Sequence, residues 1–347
     1  MRDAAAALVV QTSFLGDMVL TTGLLRELAA RGPVDVVATP AGAPLLANSP
    51  RVRRVVVYDK RGGARGPRGL WNLARELRAA AYSTAFLAQG SMRSAALAIL
   101  AQIPERVGFD TSAGRPLYSR TVPYRDHWHH AARLWSLAGP VDATDNLQPE
   151  PDLIRPELFP GTEDVDQAEL LLRRAGVADG EPLVALAPGS VWATKRWPAF
   201  ASLAARLRGA SRIVVIGGSA DRELAAAIGA VVPGTVDATG QLSLLASAAL
   251  LRRCRALVTN DSAPQHLASA MGTPTVAIFG PTVPEFGFGP LAPSSENVGH
   301  DGLDCRPCDR HGPARCPLGH WRCMLELDAS PIATLVSHRL SSVPGKS

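Results

Sequence analysis

Charged side chains are sparse in this chain, at 19% of 347 residues, and aromatic ones sparser still, at 5%. With 46% of residues hydrophobic, so few charges exclude an intrinsically disordered protein, and the length gives about two domains at roughly 150 residues each. Apolar runs are broken by charge, Gly or Pro before they reach the ~18 residues of a membrane span. At the N-terminus, Arg2 and Asp3 precede only a short apolar run from Ala4 to Val10. That run is too short for a secretion signal, so a cytoplasmic chain is expected. The five cysteines are an odd number, and four fall between Cys305 and Cys323, which suits reduced thiols or a metal site better than a disulfide framework. Tandem repeats, low-complexity segments and the G-x-x-x-x-G-K-[ST] spacing of a P-loop are absent.

Positive charge is present but unevenly placed. Residues 1–150 hold 18 basic and 12 acidic side chains, a balance of +6, and the remainder holds 18 and 19, a balance of −1, which together give the +5 of the whole chain. Its densest run is Arg51, Arg53, Arg54, Lys60, Arg61, Arg65 and Arg68. Such a half can face nucleic acid, an anionic membrane or an acidic ligand. Interleaved aromatics, the companion of nucleic-acid binding, do not accompany it, so no nucleic-acid partner is expected.

Short β-rich runs alternate with helical ones. Leu8–Val10, Val34–Ala38, Val52–Val57 and Thr84–Leu87 read as strands, with helices through Leu20, Leu24, Leu25 and Leu28 and over Leu70–Ala80 and Ser94–Leu100. After a proline-punctuated connection between Pro149 and Gly180, which carries a helix over Glu163–Ala175, a second series begins. It runs through strands Leu183–Ala187, Ile213–Ile216, Ala256–Thr259 and Thr275–Phe279, and through helices Trp197–Leu207, Asp221–Gly229, Ser243–Leu251 and Pro264–Met271. The pattern predicts an α/β protein of two doubly wound parallel-sheet domains, 1–160 and 161–347, facing each other across a cleft.

Open α/β sheets bind ligands beyond the carboxyl ends of their strands. Four strand ends stand out there. The first, Ser13-Phe14-Leu15-Gly16-Asp17, puts a carboxylate near a helix start. The second, Ala187-Pro188-Gly189-Ser190 followed by Thr194-Lys195-Arg196-Trp197-Pro198, combines a Gly/Ser turn, a hydroxyl and two cations with a proline expected at helix N1, which is a phosphate cradle. The third, Ile216-Gly217-Gly218-Ser219-Ala220-Asp221, is a weaker Gly-Gly turn. The fourth, Thr259-Asn260-Asp261-Ser262-Ala263-Pro264-Gln265-His266, clusters Asp261, Ser262 and His266 at a strand-to-helix junction, with Asp261 and Ser262 placed to cap. Phe279-Gly280-Pro281-Thr282 ends the strand that follows.

Taken in order, these blocks resemble glycosyltransferase family 9, and within it the heptosyltransferases that build lipopolysaccharide, from about Leu8 to Leu327. The resemblance implies a GT-B fold, a donor of the ADP-heptose class, a lipopolysaccharide inner-core acceptor and inverting transfer without a metal or other cofactor. Asp17 matches the family's general base. Ser190, Thr194, Lys195, Asp221, Asp261, Ser262, Ala263 and His266 match the donor side, with Lys195, Ser190 and the helix after Thr259 offsetting charge on the leaving diphosphate. Where the family has Gly after Asp-Ser, this chain has Ala263-Pro264-Gln265; Ala263 narrows the approach to a phosphate and Pro264 removes one N–H donor. The seven basic residues from Arg51 to Arg68 are expected to dock the N-terminal domain on an anionic acceptor at the cytoplasmic face of the inner membrane. A transferase using another nucleotide sugar, or a non-catalytic nucleotide-sugar-binding module, are the alternative readings. Asp164-Val165-Asp166 mimics a metal-binding D-x-D string but sits at a helix start, which predicts capping. Cys305, Cys308, Cys316 and Cys323, spaced C-x2-C-x7-C-x6-C, are read as thiols ordering a loop, with a thiolate metal site as the alternative. His127-Trp128-His129-His130 is read as opening a helix at a cleft or core edge.

Overall fold

The computed structural model describes residues 6–139 and 147–341. Arg2, Asp3 and Ala4, considered above for a secretion signal, lie outside them. The chain divides into two compact units, Met1–Phe159 and Pro160–Ser347.

The first unit is a six-stranded parallel sheet built from β1 (Ala7–Gln11), β2 (Val34–Ala38), β3 (Arg54–Val57), β4 (Thr84–Phe86), β5 (Glu105–Phe109) and β6 (Arg120–Val122). Its order is β3-β2-β1-β4-β5-β6. The helices are α1 (Leu15–Ala29), α2 (Gly66–Ala79), α3 (Met92–Leu100), α4 (His130–Ser136) and α5 (Pro151–Ile154). Central strands such as β2 are buried at every position, as expected where helices cover both faces of a parallel sheet. Leu73, Ala74 and Leu77 of α2 turn one face onto a core that includes Leu8, Val10, Val37 and Ala85.

The second unit repeats the plan with α6 (Thr162–Arg174), β7 (Leu183–Ala187), α7 (Phe200–Leu207), β8 (Arg212–Val215), α8 (Arg222–Val231), β9 (Val236–Asp237), α9 (Leu244–Arg253), β10 (Ala256–Asn260), α10 (Ala263–Met271), β11 (Thr275–Phe279), β12 (Glu296–Gly299), α11 (Arg322–Leu325) and α12 (Ala329–Ser341). Read from β9, its order is β9-β8-β7-β10-β11-β12, the same crossover as in the first sheet. In each unit the chain reverses direction between the first and fourth strands, so the crevices above β1/β4 and β7/β10 are the topological switch points. The anticipated fold class, α/β with two doubly wound units, is the observed one.

Some local expectations shift. The helix expected from Trp197 begins at Phe200, because Asn260 Oδ1 accepts the Trp197 N–H at 3.0 Å and holds the chain extended there; Pro198 therefore precedes the helix. Asp164 behaves as a cap, its Oδ2 accepting the Gly161 N–H at 2.9 Å while Oδ1 accepts the Ser243 hydroxyl at 2.9 Å. Strands β5, β6, β9 and β12 and helices α5, α11 and α12 are additions to the sequence reading.

Candidate active site

At the first switch point, β1 ends in the buried Gln11, which organises the turn that follows. Its Oε1 accepts the Ser13 N–H and its Nε2 donates to Thr21 Oγ1. Thr21 donates in turn to the Asp17 carbonyl at 2.6 Å, which fixes the first turn of α1. Asp17 is the third residue of that helix, where the dipole favours a carboxylate. Two further groups grip its side chain: the Ser13 hydroxyl donates to Oδ2, and His130 Nε2 stands 3.8 Å from Oδ1. Asp17 remains 20% exposed and His130 14%, so the pair is open to a substrate but largely shielded from water. His130 opens α4, which packs along α1. The sequence reading placed this histidine at a cleft or core edge and did not connect it with Asp17. A signal was there, a histidine at a helix start, but its partner lies 113 residues away.

Beside this turn is a cavity of about 320 Å³ lined by Thr12, Tyr58, Lys60, Arg61, Gln89 and Arg93, among others. Lys60 points inward, donating to the Thr12 carbonyl at 2.5 Å, and Thr12 donates to Gln89 Oε1 at 2.7 Å. Burial, reinforced by repulsion from Arg61 and Arg93, pulls the Lys60 ammonium below its ordinary pKa. The Tyr58 hydroxyl is buried with no hydrogen-bond partner among the described residues. Three cations and an unspent hydroxyl therefore wall one pocket, which suits an anionic, hydroxyl-bearing ligand.

The residues of the long basic run differ in their partners. Arg51 donates to Glu157 Oε1 at 2.8 Å, Arg53 binds the buried Asp35 with two hydrogen bonds of 2.9 and 2.8 Å, and Arg54 pairs with Glu76. These three offset carboxylates of the same unit, and Arg53 and Arg54 are exposed along with Arg61, Arg65 and Arg68. Of the seven basic residues, Arg51, Arg53 and Arg54 thus have carboxylate partners and Lys60 lies within the cavity. Asp35 also accepts the Tyr82 hydroxyl at 2.6 Å. Burial alone would raise its pKa, but the hydrogen bonds from Arg53 and Tyr82 outweigh it and hold the carboxyl below the ordinary range.

At the second switch point, Asn260 ties the crests of β7 and β10 together, its Nδ2 donating to the Pro188 carbonyl at 2.8 Å. Arg196 Nε pins the Ser190 carbonyl at 2.9 Å, and Thr194 donates to the Pro313 carbonyl at 2.6 Å. Lys195 is buried, and its Nζ meets Asp261 Oδ2 at 2.5 Å. The same oxygen accepts the Thr282 hydroxyl at 2.8 Å, and Oδ1 accepts Gln265 Nε2 at 3.0 Å. The structure thus brings Lys195 and Asp261 together as one ion pair. The sequence reading missed Gln265 and Thr282, whose importance comes from what they touch.

Other expected donor residues are placed differently. Asp221 accepts the Gly218 N–H at 2.9 Å and fills the turn so tightly that a Cβ on Gly189 would lie 2.3 Å from its Oδ1; it shapes the loop from behind. Ser262 occupies the N-cap of α10 yet caps no N–H, its hydroxyl instead lying near the Asn260 carbonyl and Thr259 Oγ1, so the expected capping by Asp261 and Ser262 is replaced by the network around Asp261. Ala263 and Pro264 form the first turn of α10, and His266 is buried in it, 4% exposed.

The four late cysteines are free thiols, as is Cys254. Cys323 is embedded in the second core, where burial pushes its thiol up to about 11. Burial acts on Cys316 too, but N–H groups around its sulfur, including that of Trp321 at 3.4 Å, outweigh it and draw the thiol below its ordinary value. Among the described residues, no three His, Cys, Asp or Glu side chains converge as metal ligands.

The comparisons with known proteins bear on this geometry. Residues 70–318 match the model of glycosyltransferase family 9 (heptosyltransferase). The chain belongs to glycosyltransferase family 9. It is 31% identical over 295 residues to lipopolysaccharide heptosyltransferase 2 of Salmonella typhimurium, covering 80% of this chain and 84% of that one. Among solved structures, a family 9 glycosyltransferase from Veillonella parvula superposes with a TM-score of 0.85 at 24% identity, with 98% of each chain covered. The ADP-heptose lipopolysaccharide heptosyltransferase II of E. coli superposes at 0.77 with 25% identity, covering 96% of this chain and 98% of that one. The family 9 chain is a glycosyltransferase, with the GT-B class of fold that the sequence implied.

Proposed function

We propose that the protein transfers heptose, with inversion, from an ADP-heptose donor to the inner core of a lipopolysaccharide precursor. The observation that carries this reading is the Asp17 carboxylate held at the β1 switch point by Ser13 and His130. In this mechanism Asp17 takes the proton of an acceptor hydroxyl as its oxygen attacks the anomeric carbon, and ADP departs from the opposite face. The leaving diphosphate needs charge stabilisation, not a proton, and Lys195 supplies it with the Gly189 and Ser190 N–H groups of the turn after β7. Asp261 holds the Lys195 ammonium in place until the diphosphate competes for it. Unit one binds the acceptor: the cavity of Lys60, Arg61, Arg93 and Tyr58 takes an acidic or phosphorylated group of it. Exposed Arg61, Arg65 and Arg68 add contact with anionic lipid at the cytoplasmic face of the inner membrane. No helix among the described residues is long and apolar enough to cross a membrane, which is compatible with peripheral contact.

The decisive test is Asp17→Asn. Turnover is expected to fall by about 10²–10⁴-fold, the range of a general base, while the dissociation constant for the ADP-sugar stays within a few-fold. A variant that retains most of its turnover would show that Asp17 is structural.

A further inference from the structure

We propose that Arg306 is a positioning residue for the donor site: it holds the turn after β11 so that Thr282, and through it Asp261, keeps Lys195 in register. The inference deepens the donor-site reading given above and rests on it. Arg306 lies in the cysteine-rich segment, which that reading leaves without a role.

The turn Phe279-Gly280-Pro281-Thr282 leaves the sheet with four carbonyls to satisfy, and this segment satisfies all of them. Arg306 Nε donates to the Gly280 carbonyl at 2.5 Å, and Nη2 donates to those of Phe279 at 2.9 Å and Thr282 at 3.2 Å. The Cys308 N–H takes the Pro281 carbonyl at 2.8 Å. Nη1 donates to the His300 carbonyl, which closes the fork from the far side. Space is made for it: a Cβ on Gly299 would lie 2.8 Å from Nη2.

This connects directly to the ion pair. Thr282, whose carbonyl Arg306 holds, gives its hydroxyl to Asp261 Oδ2, the oxygen that also meets Lys195 Nζ. The same segment reaches the other side of Lys195. Gly312 lies so close to the lysine stem that a Cβ there would be 2.9 Å from Cδ, while Trp321 Nε1 donates to the Thr194 carbonyl at 2.8 Å. Only a guanidinium, with five N–H donors in a rigid plane, can hold this set of carbonyls; a lysine ammonium is a point donor on a flexible stem.

The test measures ADP binding by calorimetry and donor and acceptor KM for Arg306→Ala, Arg306→Lys, Thr282→Val and the Arg306→Ala/Thr282→Val double variant, with Lys195→Ala as control. Arg306→Ala and Arg306→Lys are each expected to weaken ADP and raise donor KM about tenfold, with acceptor KM unchanged. Millimolar methylguanidinium should restore part of the loss in Arg306→Ala and none in Arg306→Lys. Because the residues act in series, the double variant should be no weaker than Arg306→Ala alone. Should Arg306→Ala fail to fold, Arg306→Lys, compared with and without Thr282→Val, carries the same comparison. Wild-type ADP affinity in a folded Arg306 variant, or additive losses in the double variant, would overturn the proposal. An unchanged ADP affinity in Lys195→Ala would instead overturn the donor-site reading itself, whatever Arg306 does.

Discussion

Asp17 shows how little of a catalytic residue's setting is local. Its position three residues into a helix sets the side chain at the positive end of the helix dipole, but its aim comes from Ser13, four residues back, and His130, on another helix. Ser13→Ala and His130→Gln are each expected to lower kcat about tenfold with donor KM unchanged, because a base held loosely spends less time in line with its proton. Steady-state kinetics with donor varied decides this, and wild-type kcat in both would leave Asp17 orienting itself. Asp35 is the counterpart for stability. Its folded carboxyl titrates below the ordinary carboxylate range, so its contribution is complete above about pH 4, the unfolded value, and is lost as pH falls through the folded one. Asp35→Asn is therefore expected to cost about 1–3 kcal/mol at pH 7, as for a hydrogen bond to a charged group. In urea denaturation the gap should close as the pH drops below about 4; a gap that stays constant would exclude the ionised pair as its source.

Among the elements, most strands legible in the sequence are buried on both faces, the edge strand β3, read as Val52–Val57, being an exception. Leu183–Ala187 is an unbroken apolar run, and Val34–Ala38 and Thr275–Phe279 are apolar apart from Asp35 and Thr275, because helices cover them on either side. Of the strands not anticipated, β6, β9 and β12 are sheet edges of two to four residues, and β12 reads Glu-Asn-Val-Gly; their conformation comes from the neighbour they pair with. β5 begins with Glu105-Arg106 and is polar for a similar reason, Glu105 bonding Arg120 across the β5–β6 pair at 3.0 Å. The loops after β7 and β8 were legible as glycine-bearing strand ends, but the network around Asp261 was not, since Gln265, Thr282 and Lys195 carry no shared pattern. Gly189 is legible only with Asp221 behind it. Gly189→Ala is expected to push the cradle off that carboxylate, weakening ADP about tenfold, whereas Gly189→Ala/Asp221→Ala recovers most of the affinity by restoring room. Calorimetric titration with ADP reports both, and equal affinities for wild type and Gly189→Ala would show that the loop yields freely.

Over the whole molecule, the +6 of residues 1–150 looked like a broad affinity for anions. Arg51, Arg53 and Arg54 pair with Glu157, Asp35 and Glu76, which ties down their side chains but leaves the balance of +6 unchanged, since Asp35 and Glu76 are already counted in it. The remaining exposed cations predict a modest, salt-sensitive attraction of at most about 1 kcal/mol each near an anionic surface. Replacing Arg61, Arg65 and Arg68 by Glu should reduce co-sedimentation with anionic vesicles at low salt and leave neutral vesicles unaffected. Equal pelleting of variant and wild type would assign membrane contact elsewhere.

The shared strand order of the two units bears on how the protein becomes active. The pocket of unit one draws on the chain after β1, β3 and β4, and the Lys195–Asp261–Thr282 cluster on the chain after β7, β10 and β11. Neither exists until strands distant in sequence have docked side by side, the slow, non-local part of assembly. Substrate can therefore recognise only a finished sheet. Donor and acceptor then act as folding ligands, each adding RT ln(1 + [L]/Kd) to the stability of the completed unit, and a cell depleted of both would hold this enzyme in its most fragile form.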